Sequence, residues 1–421
     1  MDKIPLGPAE AAEIPQLVRS SADKVVTALS HKVDFEQRYA LGDLATALAI
    51  TEGLDKAHQF AANTIETLKM RPADECGVWS DLYKAGDMLA LPKARRAIGL
   101  ASEQTTFLEE LGVVQLGGLH SAERLVQLVE AGAAEMTGLA RDMTKHVYVT
   151  ERAALFGQLY RAGDAASLDL AINAAKDAKV YIERTRSNVP YPSGDDYYRS
   201  ERALKEMADH ALKAGQIGSV LSLMNHLENE SSKADLHAEL YRHGRTESLQ
   251  KVLDYLQTVP SKYYAEPLER KLAQAGYAPA LEAVKQRAMP RKKLGLKLRF
   301  GRKQPANLDT YSRLEDLITL HEAGVPGAAK LVAETVKADK EPEFYLRSLG
   351  RVGLSSQEIE LAAKLYKQDP SVVNAERLYT VQPTNQLWKT IFHQWLYDRD
   401  DVWQAAGYVN VLAGRLKTKP Q

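Results

Sequence analysis

Cysteine is nearly absent. Cys76 is the only one in 421 residues, so no intrachain disulfide and no cysteine-based zinc cluster can form. We read it as a partly buried spectator beside Trp79. Net charge is absent as well: 55 basic and 55 acidic residues cancel, and any preference for nucleic acid or membrane has to come from local clustering. No run approaches the roughly 18 consecutive apolar residues of a membrane span. The opening MDKIPLGPAEAAEIPQL carries acids and prolines where a signal peptide needs an apolar core. The expected setting is therefore cytoplasmic. What remains is 45% hydrophobic and 26% charged, the balance of a globular protein. The chain is long enough for two or three domains or for one extended array.

Catalytic constellations are missing too. GLKLRFGRK has glycines and bases but lacks the glycine spacing before Lys-Ser/Thr of a Walker phosphate loop. Gly117-Gly118 has no preceding strand and no third glycine at dinucleotide spacing, and it reads as a helix break. His237 and His243 stand six apart, not the four that put two ligands on one zinc face. Asp398, Asp400 and Asp401 lack the glycine and terminal glutamate of a calcium loop. No Gly-x-Ser-x-Gly turn occurs. The expectation is a protein that is not an enzyme, with no catalytic, cofactor-binding or metal residues to name.

What is present is a recurring glycine. Leu-Tyr-Lys-Ala-Gly ends at Gly86, Leu-Tyr-Arg-Ala-Gly at Gly163 and Leu-Tyr-Arg-His-Gly at Gly244. Related endings fall at Gly132, Gly215, Gly276 and Gly324, and looser ones at Gly42 and Gly353. Glycine just past a helix is the favoured left-handed cap, because it has no Cβ to clash there. Beyond three of the glycines the apolar residues keep one offset: Leu168, Ala171, Ile172, Ala175; Val220, Leu223, Met224, Leu227; Leu249, Val252, Leu253, Leu256. After Gly353 the set Ile359, Ala362, Ala363, Tyr366 is shifted by one. Each set has the i, i+3, i+4, i+7 spacing of one helix face. The preceding helix is amphipathic as well, as Leu204, Met207, Ala208, Ala211 and Leu212 show. A helix, a glycine turn and a helix cannot bury both apolar faces alone, whereas stacked neighbours can. The pattern predicts an all-α solenoid of degenerate helix-turn-helix repeats. Its wider glycine spacings require an inserted loop or an extra helix.

Phe156-Gly157-Gln158-Leu159-Tyr160-Arg161-Ala162-Gly163 resembles the first helix of a Sel1-type tetratricopeptide repeat, Leu-Gly-x-x-Tyr-x-x-Gly, with Phe156 in the leucine's place. Other units keep the Leu-Tyr-x-x-Gly part, and the resemblance spans residues 35–370 loosely. It implies protein recognition along a concave face.

The boundaries follow. Residues 1–15, with prolines at 5, 8 and 15, read as a flexible arm; 16–184, 201–288 and 309–370 read as helical repeats. A Tyr/Pro-rich loop, 185–200, holds Tyr191, Tyr197 and Tyr198; it is either an interface, which loop tyrosines favour, or an ordinary solvated loop. Residues 371–421 read as a C-terminal helical cap, with an aromatic stripe of Trp388, Ile391, Phe392 and Trp395 and a second stripe of Val402, Ala405, Ala406 and Val409. That stripe either seals the last repeat or offers an aromatic docking or dimer face.

Residues 289–308 form a basic insertion. Across 283–308 there is no acid and there are nine bases: Lys285, Arg287, Arg291, Lys292, Lys293, Lys297, Arg299, Arg302 and Lys303. Leu294, Leu296, Leu298 and Phe300 alternate there with the period of a strand. The segment is either a solvated loop folded against the acidic remainder or a contact for an anionic partner, nucleic acid or anionic lipid. The function expected is a non-catalytic scaffold or adaptor binding a protein partner on its repeat surface, the step from fold to function being analogy. The alternative is an RNA- or DNA-binding helical array using 283–308. Partner-binding candidates are the seven bases from Arg291 to Lys303 and the three loop tyrosines.

Overall fold

Eight of the recurrent glycines do what the sequence pattern asks of them. In the computed structural model, which describes residues 8–30, 34–110, 116–185, 194–259, 261–289, 306–339 and 341–417, Gly86, Gly132, Gly163, Gly215, Gly244, Gly276, Gly324 and Gly353 all have positive φ. At Gly163 (φ 102°) the glycine N–H donates to the Tyr160 carbonyl at 3.0 Å and the Asp164 N–H to that of Leu159 at 3.0 Å. These paired bonds satisfy two carbonyls that the helix end leaves orphaned. The same pair recurs at the other seven, for example Gly244 to Tyr241 at 2.9 Å and Arg245 to Leu240 at 2.9 Å. The residue four before each glycine is buried every time, as Leu82, Leu159, Leu240, Leu272 and Leu320 show. The Leu-x-x-x-Gly spacing is thus a helix stop and a core anchor in one.

The chain divides into two compact units, Leu227–Gln382 and a second made of the chain up to His226 together with Pro383–Gln421. The second contains α1 (Pro8–Leu29), α2 (Asp34–Thr51), α3 (Leu54–Leu68), α4 (Pro72–Lys84), α5 (Ala90–Glu110), α6 (Leu116–Glu130), α7 (Thr137–His146), α8 (Val149–Arg161), α9 (Ser167–Thr185), α10 (Gly194–Lys213) and α11 (Ile217–Met224). The inserted unit contains α12 (Glu230–Arg242), α13 (Glu247–Thr258), α14 (Lys262–Gln274), α15 (Ala278–Ala288), α16 (Ala306–Glu322), α17 (Ala328–Ala338), α18 (Leu346–Arg351), α19 (Ser355–Gln368) and α20 (Val372–Val381). Then α21 (Asn385–His393), a π-helical turn Gln394–Asp398 and α22 (Val402–Gly414) return to the unit that contains α1–α11. No strand occurs among the described residues, and no helix there is long and apolar enough to cross a membrane.

Packing inside each unit is that of a helical-repeat stack. In one, α2, α4, α6, α8 and α10 form a layer in which each helix packs on the next, and each also packs on its hairpin partner α3, α5, α7, α9 or α11. In the other, α12, α14, α16 and α18 form the equivalent layer. The apolar sets after the glycines are the buried or half-buried faces of α9, α11, α13 and α19. Two of the wider glycine spacings contain long second helices, α5 with 21 residues and α9 with 19.

Several expectations need correction. The flexible arm does not extend to residue 15, since α1 begins at Pro8. Proline is tolerated at a helix's first position, which needs no N–H donor. Pro15 does cost one helical bond, but Ile14, Val18, Ala22, Val25 and Leu29 are buried as α1 packs on α2 and α22. Gly42 is not a turn: it lies mid-helix in α2, and the first turn of the stack uses Gly53 (φ 98°) instead. Gly117 and Gly118 lie within α6 rather than breaking it. Helix α9 runs to Thr185 and α10 begins at Gly194, so the Tyr/Pro-rich loop is shorter than 185–200, and Tyr197 and Tyr198 belong to the first turns of α10. The basic insertion likewise ends by Ala306, where α16 begins.

The segment 371–421 is not one cap. Helix α20 belongs to the inserted unit, while α22 lies along α2 and against α1. In the layer α2–α4–α6–α8–α10, α22 takes the place of a repeat preceding α2. Trp388 is buried, stacked on Phe392 with centroids 5.1 Å apart, and its indole N–H donates to the Tyr408 carbonyl at 2.7 Å. Asn385 ties α21 to α1, its backbone N–H donating to Glu10 at 3.1 Å and its side chain to Glu13 at 2.8 Å. The C-terminal helices therefore cap the first repeat.

Candidate functional site

Two mid-helix glycines bring α2 and α4 close together. A Cβ at Gly77 of α4 would land on the Arg38 guanidinium, and a Cβ at Gly42 of α2 would land on the Asp81 carboxylate. The pairs are matched: Arg38 and Gly42 are four apart on α2, and Gly77 and Asp81 are four apart on α4. Each helix thus offers a gap to the other's charged residue; Arg38 is drawn under the surface of the layer, while Asp81 stays partly exposed and pairs with Lys84 at 3.7 Å. Helix α6 adds Arg124 and Gln127 from one face, and α22 adds Asn410.

These side chains line a cleft of about 400 Å³, together with Tyr39, Asp43, Thr46, Lys84 and Lys417. That is the lower end of the size range for small-ligand sites. Arg38 is 5% exposed and Arg124 8%. The Arg38 Nε is buried without a hydrogen-bond partner among the described residues; its guanidinium carbon sits 4.1 Å from the Tyr39 ring centroid. Tyr39 in turn meets Trp403 of α22 with centroids 5.2 Å apart, and both rings are 40% exposed. Arg124 donates to Gln127.

The cleft carries an unresolved balance of charge. Burial lowers the Arg124 pKa from its ordinary value and the charge of Arg38 lowers it further, with Asp81 opposing both. Desolvation raises the Asp43 carboxyl against the bond it accepts from the Asn410 amide at 2.9 Å, and Asp81 adds to the rise. Cys76 is fully buried rather than partly, beside Ser80, and burial pushes its thiol up to about 11. It stays a neutral thiol near pH 7 and is no nucleophile.

A second cluster lies in the inserted unit and is complete. Asp316, 1% exposed, accepts from Arg270 Nε at 2.7 Å and from Arg287 Nε at 2.9 Å and Nη2 at 3.2 Å. Arg270 also donates to the Ser312 hydroxyl at 2.9 Å, Ser312 donates to Glu266 at 2.7 Å, and Arg287 reaches Glu269. Burial works against the Arg287 charge, but Asp316 and Glu269 outweigh it and its pKa rises. This network joins α14, α15 and α16. It withdraws Arg287 from the nine bases that the sequence offered to an anionic partner.

The remaining sequence candidates are placed as follows. Arg291, Lys292, Lys293, Lys297, Arg299, Arg302, Lys303 and Tyr191 lie outside the described residues, as do the side chains of Tyr197 and Tyr198. Asp401 accepts from the Gln404 N–H at 3.0 Å, a helix cap for α22 rather than a calcium ligand. His58 Nδ1 lies 2.6 Å from Asp87, whose other oxygen accepts from the Leu89 N–H at 3.0 Å; the pair pins α3 to the Gly86 turn. Among the described residues no group of three or more His, Cys, Asp or Glu could hold a metal ion.

Of the cleft residues the sequence marks only Gly42, and as a loose turn ending. The signal that points to the site is a pair of glycines inside helical patterns, Gly42 and Gly77, each four from a charged residue.

No known family model matches this chain, and no curated protein matches it in sequence. Among solved structures it is similar to a human IFIT1 dimer with m7Gppp-AAAA, at 11% identity, covering 96% of this chain and 92% of that one, with a TM-score of 0.22. A circular tandem repeat protein with novel repeat topology and enhanced subunit contact surfaces is similar at 14% identity, covering 96% of this chain and 90% of that one, with a TM-score of 0.22. Overlap at that level decides nothing about partner or chemistry.

Proposed function

We propose that this chain is a non-catalytic, tetratricopeptide-like adaptor of the cytoplasm that binds a protein partner through its repeat surface. The observation that carries the reading is the cleft at α2, α4, α6 and α22, with two buried guanidinium groups, one of them with a donor unmatched among the described residues, and exposed aromatic rings on its rim. Such a site holds polar and aromatic groups of a partner, as interface centres do. The nearby Cys76 thiol does not line the cleft, and burial keeps it neutral. The nucleic-acid reading keeps the seven bases from Arg291 to Lys303, although Arg287 is committed to Asp316 and Glu269.

Affinity capture on the full chain, with and without nuclease, separates the two readings. A polypeptide that survives nuclease, and then binds the purified chain one to one, supports the adaptor. Binding that vanishes with nuclease supports nucleic acid and removes the adaptor reading.

A further inference from the structure

Four facts about the cleft at α2, α4, α6 and α22 bear on what fills it. The buried Arg38 guanidinium has a donor with no acceptor among the described residues, a state that native structures avoid because it costs the desolvation of the group. The neighbouring guanidinium of Arg124 is buried too, and after burial the charge of Arg38 disfavours its own. There is room beside them for a small group, about 400 Å³. At both mid-helix glycines the nearest atoms a Cβ would meet belong to the facing charged side chain, Arg38 at Gly77 and Asp81 at Gly42. An arrangement that is short of negative charge and has space for it is completed by an anion.

We propose that this cleft seats a carboxylate of the partner polypeptide between Arg38 and Arg124, with Tyr39 and Trp403 covering the residue that carries it. The proposal rests on the adaptor reading and names the chemistry that it recognises. The planar fork of arginine matches a carboxylate through paired N–H bonds. A polyphosphate backbone fits less well, because Asp43 and Asp81 stand in the same wall and repel each further charge. A peptide does not meet that difficulty. It brings one anion to the arginines, and its own N–H groups find acceptors in the two aspartates. Asn410 and Lys417 of the C-terminal segment close the cleft, so the return of α22 to α2 completes the site as well as the fold.

The test uses the full chain and an array of octapeptides made in matched pairs, free C-terminal acid and amide, with and without an internal glutamate. An RNA octamer serves as the competing probe. Peptides bearing a carboxylate, terminal or internal, should bind at least about tenfold more tightly than their neutral partners, a difference of about 1.4 kcal/mol. The paired forms tell which source of carboxylate is read. Arg38→Met and Arg124→Gln should each abolish that preference. Arg38→Met should also leave the melting temperature unchanged or raise it, since it removes a buried charge that lacks a partner. Arg124→Gln stands as an independent reading if Arg38→Met does not fold.

Equal binding of acid and amide forms, no binding by any peptide, or binding by the RNA octamer alone would overturn the proposal. So would a collapse of melting temperature in Arg38→Met with the preference for carboxylate intact, which would make Arg38 a packing residue. If a nuclease-resistant protein partner binds both variants as tightly as wild type, this inference fails while the adaptor reading stands.

Discussion

Each of the two units gathers a pair of arginines, fully buried at Arg38 and Arg124 and half-buried at Arg270 and Arg287, and the two pairs end in opposite states. Around Asp316, Arg270 and Arg287 find three carboxylates and a serine, and the bonds run from α14 to α15 and α16. Around the α2–α4 crossing, Arg38 and Arg124 face each other's charge, and the Arg38 Nε has no acceptor among the described residues. Breaking a buried charge network of the first kind is expensive because the survivors are stranded. An arrangement of the second kind leaves a buried donor unmatched among the described residues. The difference separates a charge cluster whose bonds join three helices of a stack from one on which the binding proposal stands.

The comparison breaks hardest at Asp316. Asp316→Ala leaves two arginines without their common acceptor and should destabilise the unit Leu227–Gln382 by about 3–5 kcal/mol. Hydrogen exchange read helix by helix should show lost protection in α14, α15 and α16. Protection unchanged there would mean that the network is incidental to the stack.

Gly77→Ala has a smaller expected effect and sharpens the contrast. Its Cβ displaces the Arg38 guanidinium, an overpacking that costs about 1–3 kcal/mol. Denaturant unfolding should register that cost, and carboxylate peptide binding should fall along with it. Destabilisation with undiminished binding would show that the arginine does not need its depth.

The smallest effect belongs to Asp43. Its folded carboxyl is raised above the ordinary value of 3.8 by burial first, with Asp81 adding to the rise and the Asn410 bond opposing it. Below the ordinary value both folded and unfolded carboxyls are protonated and no penalty exists. As pH rises through the folded value the chain loses stability, and the loss is complete above it. Asp43→Asn keeps an acceptor for Asn410 and removes the penalty. It should therefore raise the melting temperature near pH 7 and shed that advantage as the pH approaches 3.8. An advantage that does not vary with pH would assign the gain to packing.

Local physics is what the sequence determined by itself. Where a glycine must take positive φ to end a helix, and a leucine four residues earlier must be buried, both demands fall within five residues and leave a readable mark. Gly86, Gly163 and Gly244 carry that mark, and the all-α repeat architecture follows from it. Tertiary structure decided the rest. Gly42 looks like a degenerate turn because its real constraint is the approach of Asp81 from another helix, 39 positions along the chain. The apolar stripes of α22 show that it is buried, but only the fold shows it against α2, since an amphipathic helix does not specify which equivalent face it will cover. The cleft inherits that limit. Arg38, Asp81, Arg124 and Asn410 are ordinary members of four separate helices, and they become one electrostatic system only where packing removes the water between them.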